Sequence, residues 1–228
     1  VVKCEKAGDK LYQAAYVDGV EKMRQEFDII FGYGKNAQSF AAWSKSKLVQ
    51  LPLSYFSKGG QWINSPGYPE KVVFNRVITS RCMECHTTYA EVTSNEGLLE
   101  NFNKANIILG IDCEKCHGPA AGHVKFKTEN PAVKDEKYII NPGSFSRQQK
   151  LDACALCHSG NMDNLQPPFS FRPGDDLRKF YSYNTVAADV QQLDVHSNQY
   201  GLLTLSKCFT QSQMTCGSCH DPHKNEAA

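Results

Sequence analysis

Four copies of one short motif carry the chemistry of this chain: Cys82-Met83-Glu84-Cys85-His86, Cys113-Glu114-Lys115-Cys116-His117, Cys154-Ala155-Leu156-Cys157-His158 and Cys216-Gly217-Ser218-Cys219-His220. Each reads C-x-x-C-H, the attachment signature of c-type haem. Cysteines three apart sit about one helical turn from each other, so two thioether bonds to the haem vinyls can close on one short helix. The following histidine then presents its imidazole to the iron as proximal ligand. Pairs of C-x-x-C also make zinc sites, but zinc does not require a histidine directly after every second cysteine. Four matches that use eight of the ten cysteines point to four covalently bound haems c.

The remaining histidines are His123, His196 and His223, and all three lie in the haem-bearing part of the chain. They are candidate distal ligands. His223 comes three residues after His220, and His123 six after His117. Neither loop can wrap a macrocycle and reach the far face of its own haem, so each is expected to cross to a neighbouring one. Four irons have eight axial positions, and seven histidines fill seven of them. The eighth falls to Met23, Met162, Met214, a lysine, a neighbouring subunit or a missing segment, or the iron is five-coordinate. Spacing leaves these alternatives open. Met83, inside a motif, faces away from its own iron by position.

The two cysteines outside the motifs, Cys4 and Cys208, are expected to pair as a disulfide, because haem c is attached outside the cytoplasm, where thiols oxidise. The same fact implies a periplasmic or extracellular protein. The chain starts at Val1 rather than Met, which suggests a leader already removed or a fragment. Adding eight ionised propionates to the formal charge of +1 gives −7, so nothing here argues for nucleic acid. No apolar run is long enough to cross a membrane.

The elements that must position these residues are short. Residues 1–75 read as a β-hairpin-rich N-terminal subdomain and residues 76–228 as a tetrahaem domain of short helices and loops wrapped around the cofactors. Residues 10–17 and 20–30 flank Asp18-Gly19, a strong two-residue hairpin turn. Residues 40–43 and 48–56 flank a second turn, and Pro52 marks the latter run as an edge strand. Gly32-x-Gly34, without a third glycine and a strand–helix context, is a turn rather than a nucleotide loop. Residues 96–109 are expected to be helical, residues 186–193 to form a short helix, and Ser144 or Ser146 to cap a helix that carries the third motif. Gly118-Pro119 and Asp221-Pro222 should end the second and fourth haem helices. Phe126, Phe145, Phe169, Phe171, Phe180 and Tyr200 are expected to pack on haem and core. With 41% hydrophobic residues and a mean hydropathy of −0.46, four porphyrins should supply much of the apolar bulk.

With the motifs in place, the chain resembles the multihaem cytochromes c related to the tetrahaem electron carrier of ammonia oxidisers, including exported relatives fused to tetratricopeptide repeats. The stretches that carry the likeness are Gln50-Leu51-Pro52-Leu53-Ser54-Tyr55, Ser65-Pro66-Gly67-Tyr68, residues 113–124, Asn141-Pro142, residues 154–158, Ser206-Lys207-Cys208-Phe209 and residues 216–223. The resemblance implies distal ligation by His123 and His223. It also marks two departures. Where relatives carry G-x-G-x-H-x-x-x-F, this chain has Asn36 in place of the histidine. A further C-x-x-C-H, common upstream of the β part, is not found here.

The expected function is multi-step one-electron transfer through closely spaced, mostly bis-His haems, with redox proteins as partners and no catalytic residues. Two alternatives stand beside it. The chain is a subunit of an extracellular cytochrome filament or a larger respiratory complex, or it is a redox enzyme acting on a small nitrogen or oxygen species at one incompletely ligated haem.

Overall fold

The computed structural model describes residues 1–96, 99–182 and 198–224. The chain forms two compact units, Val1–Gly110 and Ile111–Ala228. The division therefore differs from the boundary expected near residue 75. The sheet of the first unit recruits a strand beyond that point, and the first C-x-x-C-H motif lies within the β-rich unit.

The first unit opens with a three-stranded antiparallel meander of β1 (Val2–Ala7), β2 (Lys10–Val17) and β3 (Val20–Glu26). Asp18 and Gly19 take φ values of 50° and 79°, the left-handed pair that a two-residue hairpin needs to match strand twist. The run of residues 20–30 expected as one strand is broken at Phe27 and Asp28. Asp28 Oδ2 accepts the Trp43 N–H at 2.9 Å, and the chain passes into a second sheet.

That sheet runs β4 (Ile29–Phe31), β5 (Ala37–Ser44), β6 (Lys47–Phe56), β7 (Gln61–Asn64), and β8 (Arg76–Ile78) also pairs with β6. Pro52 therefore lies in the central strand, not at an edge as expected. Both neighbouring ladders break around it. β8 pairs with Leu48–Gln50 and β7 with Leu53–Phe56, while the β5 register jumps from Ser54 opposite Ser39 to Gln50 opposite Ala41. A missing N–H costs nothing where no strand asks for it. The buried amide of Gln13 fills the adjacent gap: its Nε2 donates to Leu53 O at 2.8 Å, and its Oε1 accepts the Leu53 N–H at 2.8 Å. Phe40, Ala42, Val49 and Leu51 form the core of this sheet, with Phe27, Tyr55 and Phe74 packed against them.

Helix α1 (Ser80–His86) follows, then the hairpin β9 (Thr87–Glu96) and β10 (Leu99–Leu109). The helix expected over residues 96–109 is thus a strand. Glu100 and Phe102 point inward together, at 4% and 2% exposure, which is the two-residue period of a strand. Glu100 is buried because it serves helix α1: it accepts the Ser80 N–H, and the Ser80 hydroxyl at 2.8 Å. The hairpin is tied to the second sheet through Ser46, whose carbonyl accepts the Phe102 N–H at 2.7 Å and whose hydroxyl donates to Asn101 Oδ1 at 2.6 Å.

The second unit has helices of 4 to 12 residues: α2 (Cys113–His117), α3 (Ala121–Glu129), α4 (Arg147–His158), α5 (Gln199–Thr204) and α6 (Lys207–Thr210). Two-residue strands β11 (Asp163–Asn164) and β12 (Tyr181–Ser182) pair once. Helix α4 is the axis of the unit. Ser146 caps it in a capping box with Gln149, as expected from the sequence. Its Leu151, Ala155 and Leu156 pack with Met162, Phe171, Leu177, Tyr181 and Tyr200. Arg147 fastens the start of α4 to the segment before the fourth motif, donating to Met214 O at 3.1 Å and Phe209 O at 2.9 Å and lying over the Phe209 ring. The helix expected at residues 186–193 lies outside the described residues.

Candidate functional site

Each motif sits at the end of a helix or on a single turn, so that the cysteine pair and the histidine project together. The first occupies the last five residues of α1, the second is the whole of α2, and the third ends α4. The fourth occupies a single 3-10 turn, Cys216–Ser218, and its continuation; the His220 N–H closes on Cys216 O at 3.0 Å. The starts are built by side chains. Asp112 accepts the Glu114 N–H at 2.9 Å ahead of the second motif, and Ser218 Oγ accepts the Thr215 N–H at 3.0 Å at the fourth. The second helix stops where Gly118-Pro119 was expected to stop it. Gly118 takes φ 71°, and a Cβ there would meet Ile140 Cδ1 at 3.0 Å.

The eight motif cysteines are at least partly exposed, and none is in a disulfide. Cys154 and Cys216, the first cysteines of the third and fourth motifs, share a thiol–thiol hydrogen bond. It brings Cys216 down to about 7 and raises Cys154.

The histidines carry the most informative geometry. His117 Nδ1 lies 2.9 Å from Ile140 O, and the Ile140 N–H returns a 2.9 Å bond to His117 O. His123 Nδ1 lies 2.8 Å from Lys137 O. A carbonyl only accepts, so in both rings Nδ1 carries the proton and Nε2 keeps its lone pair. His158 Nδ1 lies 3.0 Å from Gln199 Oε1, on α5, whose start is capped by Asn198. This is the arrangement that orients a metal-ligating imidazole: one nitrogen anchored, the other presented. The residues therefore fit haem c, with thiols in vinyl-bonding pairs and imidazoles poised as ligands.

The rings of His117 and His223 lie 5.9 Å apart with 30° between their planes. The two rings are stacked, within the usual range of aromatic pairs. Two imidazoles on opposite faces of one iron, each bound at about 2 Å, would have a similar centroid separation of about 6 Å. A turn made by Asp221 presents His223: Asp221 Oδ1 accepts the His223 N–H at 3.0 Å. In the first unit, His86 meets the Phe31 ring edge-on at 5.6 Å. His196 lies outside the described residues.

Met162, at 6% exposure, is part of the core around α4, and Met83 is fully buried. Cys4, in β1 of the first unit, and Cys208, in α6 of the second, were expected to pair but are not in a disulfide in this structure. Phe171 and Tyr200 are core residues, and Phe180 packs against that core. The anchors at Lys137 O, Ile140 O and Gln199 have no sequence signature. Every residue owns a carbonyl, and only the fold selects which one meets a ring.

Residues 37–118 match the family described as cytochrome c554 and c-prime. The C-type polyheme cytochrome OmcB of Geobacter sulfurreducens is 25% identical over 166 residues, 62% of this chain and 20% of that protein. Together with the four motifs, these matches support a multihaem c-type cytochrome. The chain spans about a fifth of the length of this curated relative. In fold it is similar to the outer cell wall cytochrome OcwA, with a TM-score of 0.51 and 20% identity over 74% of this chain and 37% of that one. The same matches support covalently bound haem c and electron transport as the chemistry of this chain. No helix among the described residues is long and apolar enough to cross a membrane.

Proposed function

We propose that this cytochrome is an exported tetrahaem electron carrier that passes single electrons between closely spaced, mostly bis-His haems to and from redox protein partners. Cys82 and Cys85, Cys113 and Cys116, Cys154 and Cys157, and Cys216 and Cys219 would hold the four haems. His86, His117, His158 and His220 would be the proximal ligands, and His123, His196 and His223 the distal ones. Bound haem supplies reversible one-electron iron chemistry, and the chain sets ligands, spacing and exposure.

The observation that carries this reading is the anchoring of His117, His123 and His158 through Nδ1, which leaves Nε2 as the ligating atom in each. Imidazole on both faces favours a lower potential than an imidazole–thioether pair and closes the iron to small molecules. The Cys154–Cys216 contact supports close spacing, since the haems of the third and fourth motifs would be attached through neighbouring sulfurs. A Cys4–Cys208 disulfide would join the two units covalently. Haem c attachment outside the cytoplasm, with the likeness to an outer cell wall cytochrome, supports a periplasmic or extracellular location.

Intact-mass spectrometry and a redox titration of the matured protein test this. We expect a mass with four haem increments and reversible reduction of all four haems. Fewer than four increments, or haems that a small redox partner cannot reduce, would defeat it.

A further inference from the structure

After α3 the chain turns at Asn130 and runs back along that helix as a strap, residues 131–141, within the second unit. The strap is tied down along its length. The Val133 N–H donates to Asn130 O at 3.1 Å, and Lys127 Nζ donates to Val133 O at 2.7 Å. The Lys137 ammonium lies 5.3 Å from the centroid of the Phe126 ring, and the Tyr138 ring meets the same phenyl edge-on at 5.9 Å. At the far end Asn141 donates to Glu136, and its Oδ1 accepts the Gly143 N–H at 2.8 Å.

Two imidazoles share this strap. His123 is bonded through Nδ1 to Lys137 O, and His117 through Nδ1 to Ile140 O. Carbonyls three residues apart point to opposite edges of an extended chain. Between these two, Tyr138 takes φ 61°, the left-handed region that a residue with a Cβ seldom adopts. The turn it makes lets each carbonyl meet its own ring. The strap is also tight against α3 at this point: a Cβ on Gly122, the residue before His123, would meet Tyr138 Cβ at 3.2 Å.

We propose that Tyr138 is a positioning residue and that the strap is one clamp shared by two haems. Through a single left-handed turn it fixes the Nδ1–H bonds of His117 and His123, and so sets the basicity of one ligand on each of two irons together. The inference rests on the ligand reading above, in which His117 binds the iron of the second motif and His123 crosses to a neighbouring one. An imidazole that donates Nδ1–H to a carbonyl is a stronger base toward the metal. A stronger base favours ferric iron and lowers the potential, so loosening this one turn should raise two potentials in step.

The test compares Tyr138→Val with Tyr138→Gly in the matured holoprotein. Both remove the phenol ring. Valine resists the left-handed region and glycine accepts it. The four potentials are resolved by a redox titration followed by NMR. In Tyr138→Val two of the four should rise and two should stay at their wild-type values, and in Tyr138→Gly all four should stay. A shift of one haem, of none or of all four in Tyr138→Val overturns the proposal, and so does the same shift in Tyr138→Gly. Gly122→Val keeps the test decisive if Tyr138→Val does not mature with four haems. It presses on Tyr138 from the helix that carries His123, and it should raise the same two potentials; any other pattern, above all a shift of one haem alone, overturns the clamp. Intact mass and reversible reduction of the wild-type protein, measured alongside, separate this failure from failure of the electron-carrier reading.

Discussion

The rings of His117 and His223 are stacked with centroids 5.9 Å apart and planes at 30°, although 105 residues separate them in the chain. The first closes α2 and is held by Ile140 O, and the second sits on the turn made by Asp221. If His223 is the distal ligand proposed for the iron held by His117, a His223→Ala variant should change the haem of the second motif rather than the fourth, whose own histidine is three residues away. One low-spin haem in four should become high-spin or bind CO, and its potential should rise. Paired with His117→Met, which acts on the same iron, the two changes should not add. EPR of the ferric variants checks this, because near-parallel imidazoles give a rhombic low-spin signal that His223→Ala should remove. Equal loss of signal from two haems would count against the pairing.

Glu100 supports the first motif from a distance. It is 4% exposed and accepts both the Ser80 N–H and the Ser80 hydroxyl at the start of α1. Removing it leaves a buried donor without a partner, which costs about 1–3 kcal/mol. Glu100→Ala should lower stability by that amount and leave part of the protein with three haems, the loss falling on Cys82 and Cys85. Peptide mapping after proteolysis locates the missing haem. Loss spread evenly over four motifs would argue against a local role.

The turns and caps were legible in the chain because a few residues decide them alone. Asp18-Gly19 accepts left-handed φ values, and Ser146 with Gln149 forms a reciprocal cap, whatever lies elsewhere. The four haem motifs were legible for the same reason. Strand 99–109 was not, because its inward-facing Glu100 breaks the apolar alternation that marks a strand, and its partner is a helix start twenty residues earlier. The place of Pro52 was not legible either. Whether a strand is central depends on what pairs with it, and here two short strands leave a gap at the proline. The anchors of His117 and His123 are backbone carbonyls, which no residue type announces.

Gln13 is fully buried and replaces a missing stretch of ladder beside Pro52. Gln13→Ala would strip both polar groups of Leu53 of their partner inside the sheet. The expected loss is about 2–4 kcal/mol, the sum for one buried donor and one buried acceptor at the low end of the usual range. Gln13→Glu should lose less at low pH, where a protonated carboxyl can still both donate and accept. Denaturant unfolding followed by far-UV circular dichroism measures the difference. A change under about 0.5 kcal/mol for Gln13→Ala would mean that water reaches Leu53.

A disulfide between Cys4 and Cys208, neither of which is in a disulfide in this structure, would tie β1 to α6. Cys4 is half-buried in β1, and burial pushes its thiol up to about 11. If reduced, it would remain a neutral thiol throughout the physiological range, because a raised pKa keeps the proton on below that value. Slow alkylation of the native protein would therefore not by itself show a disulfide. Alkylation must be done after denaturation, where the ordinary thiol value returns. With all eight motif cysteines in thioethers, the denatured and unreduced holoprotein should take up no alkyl groups, and the reduced protein should take up two. Cys4→Ser should then expose one alkylatable thiol at Cys208 without reduction and lower the thermal midpoint, since the bridge closes a loop of about 200 residues and such links contribute about 2–5 kcal/mol. Two alkyl groups on the unreduced wild-type protein would show both cysteines to be free.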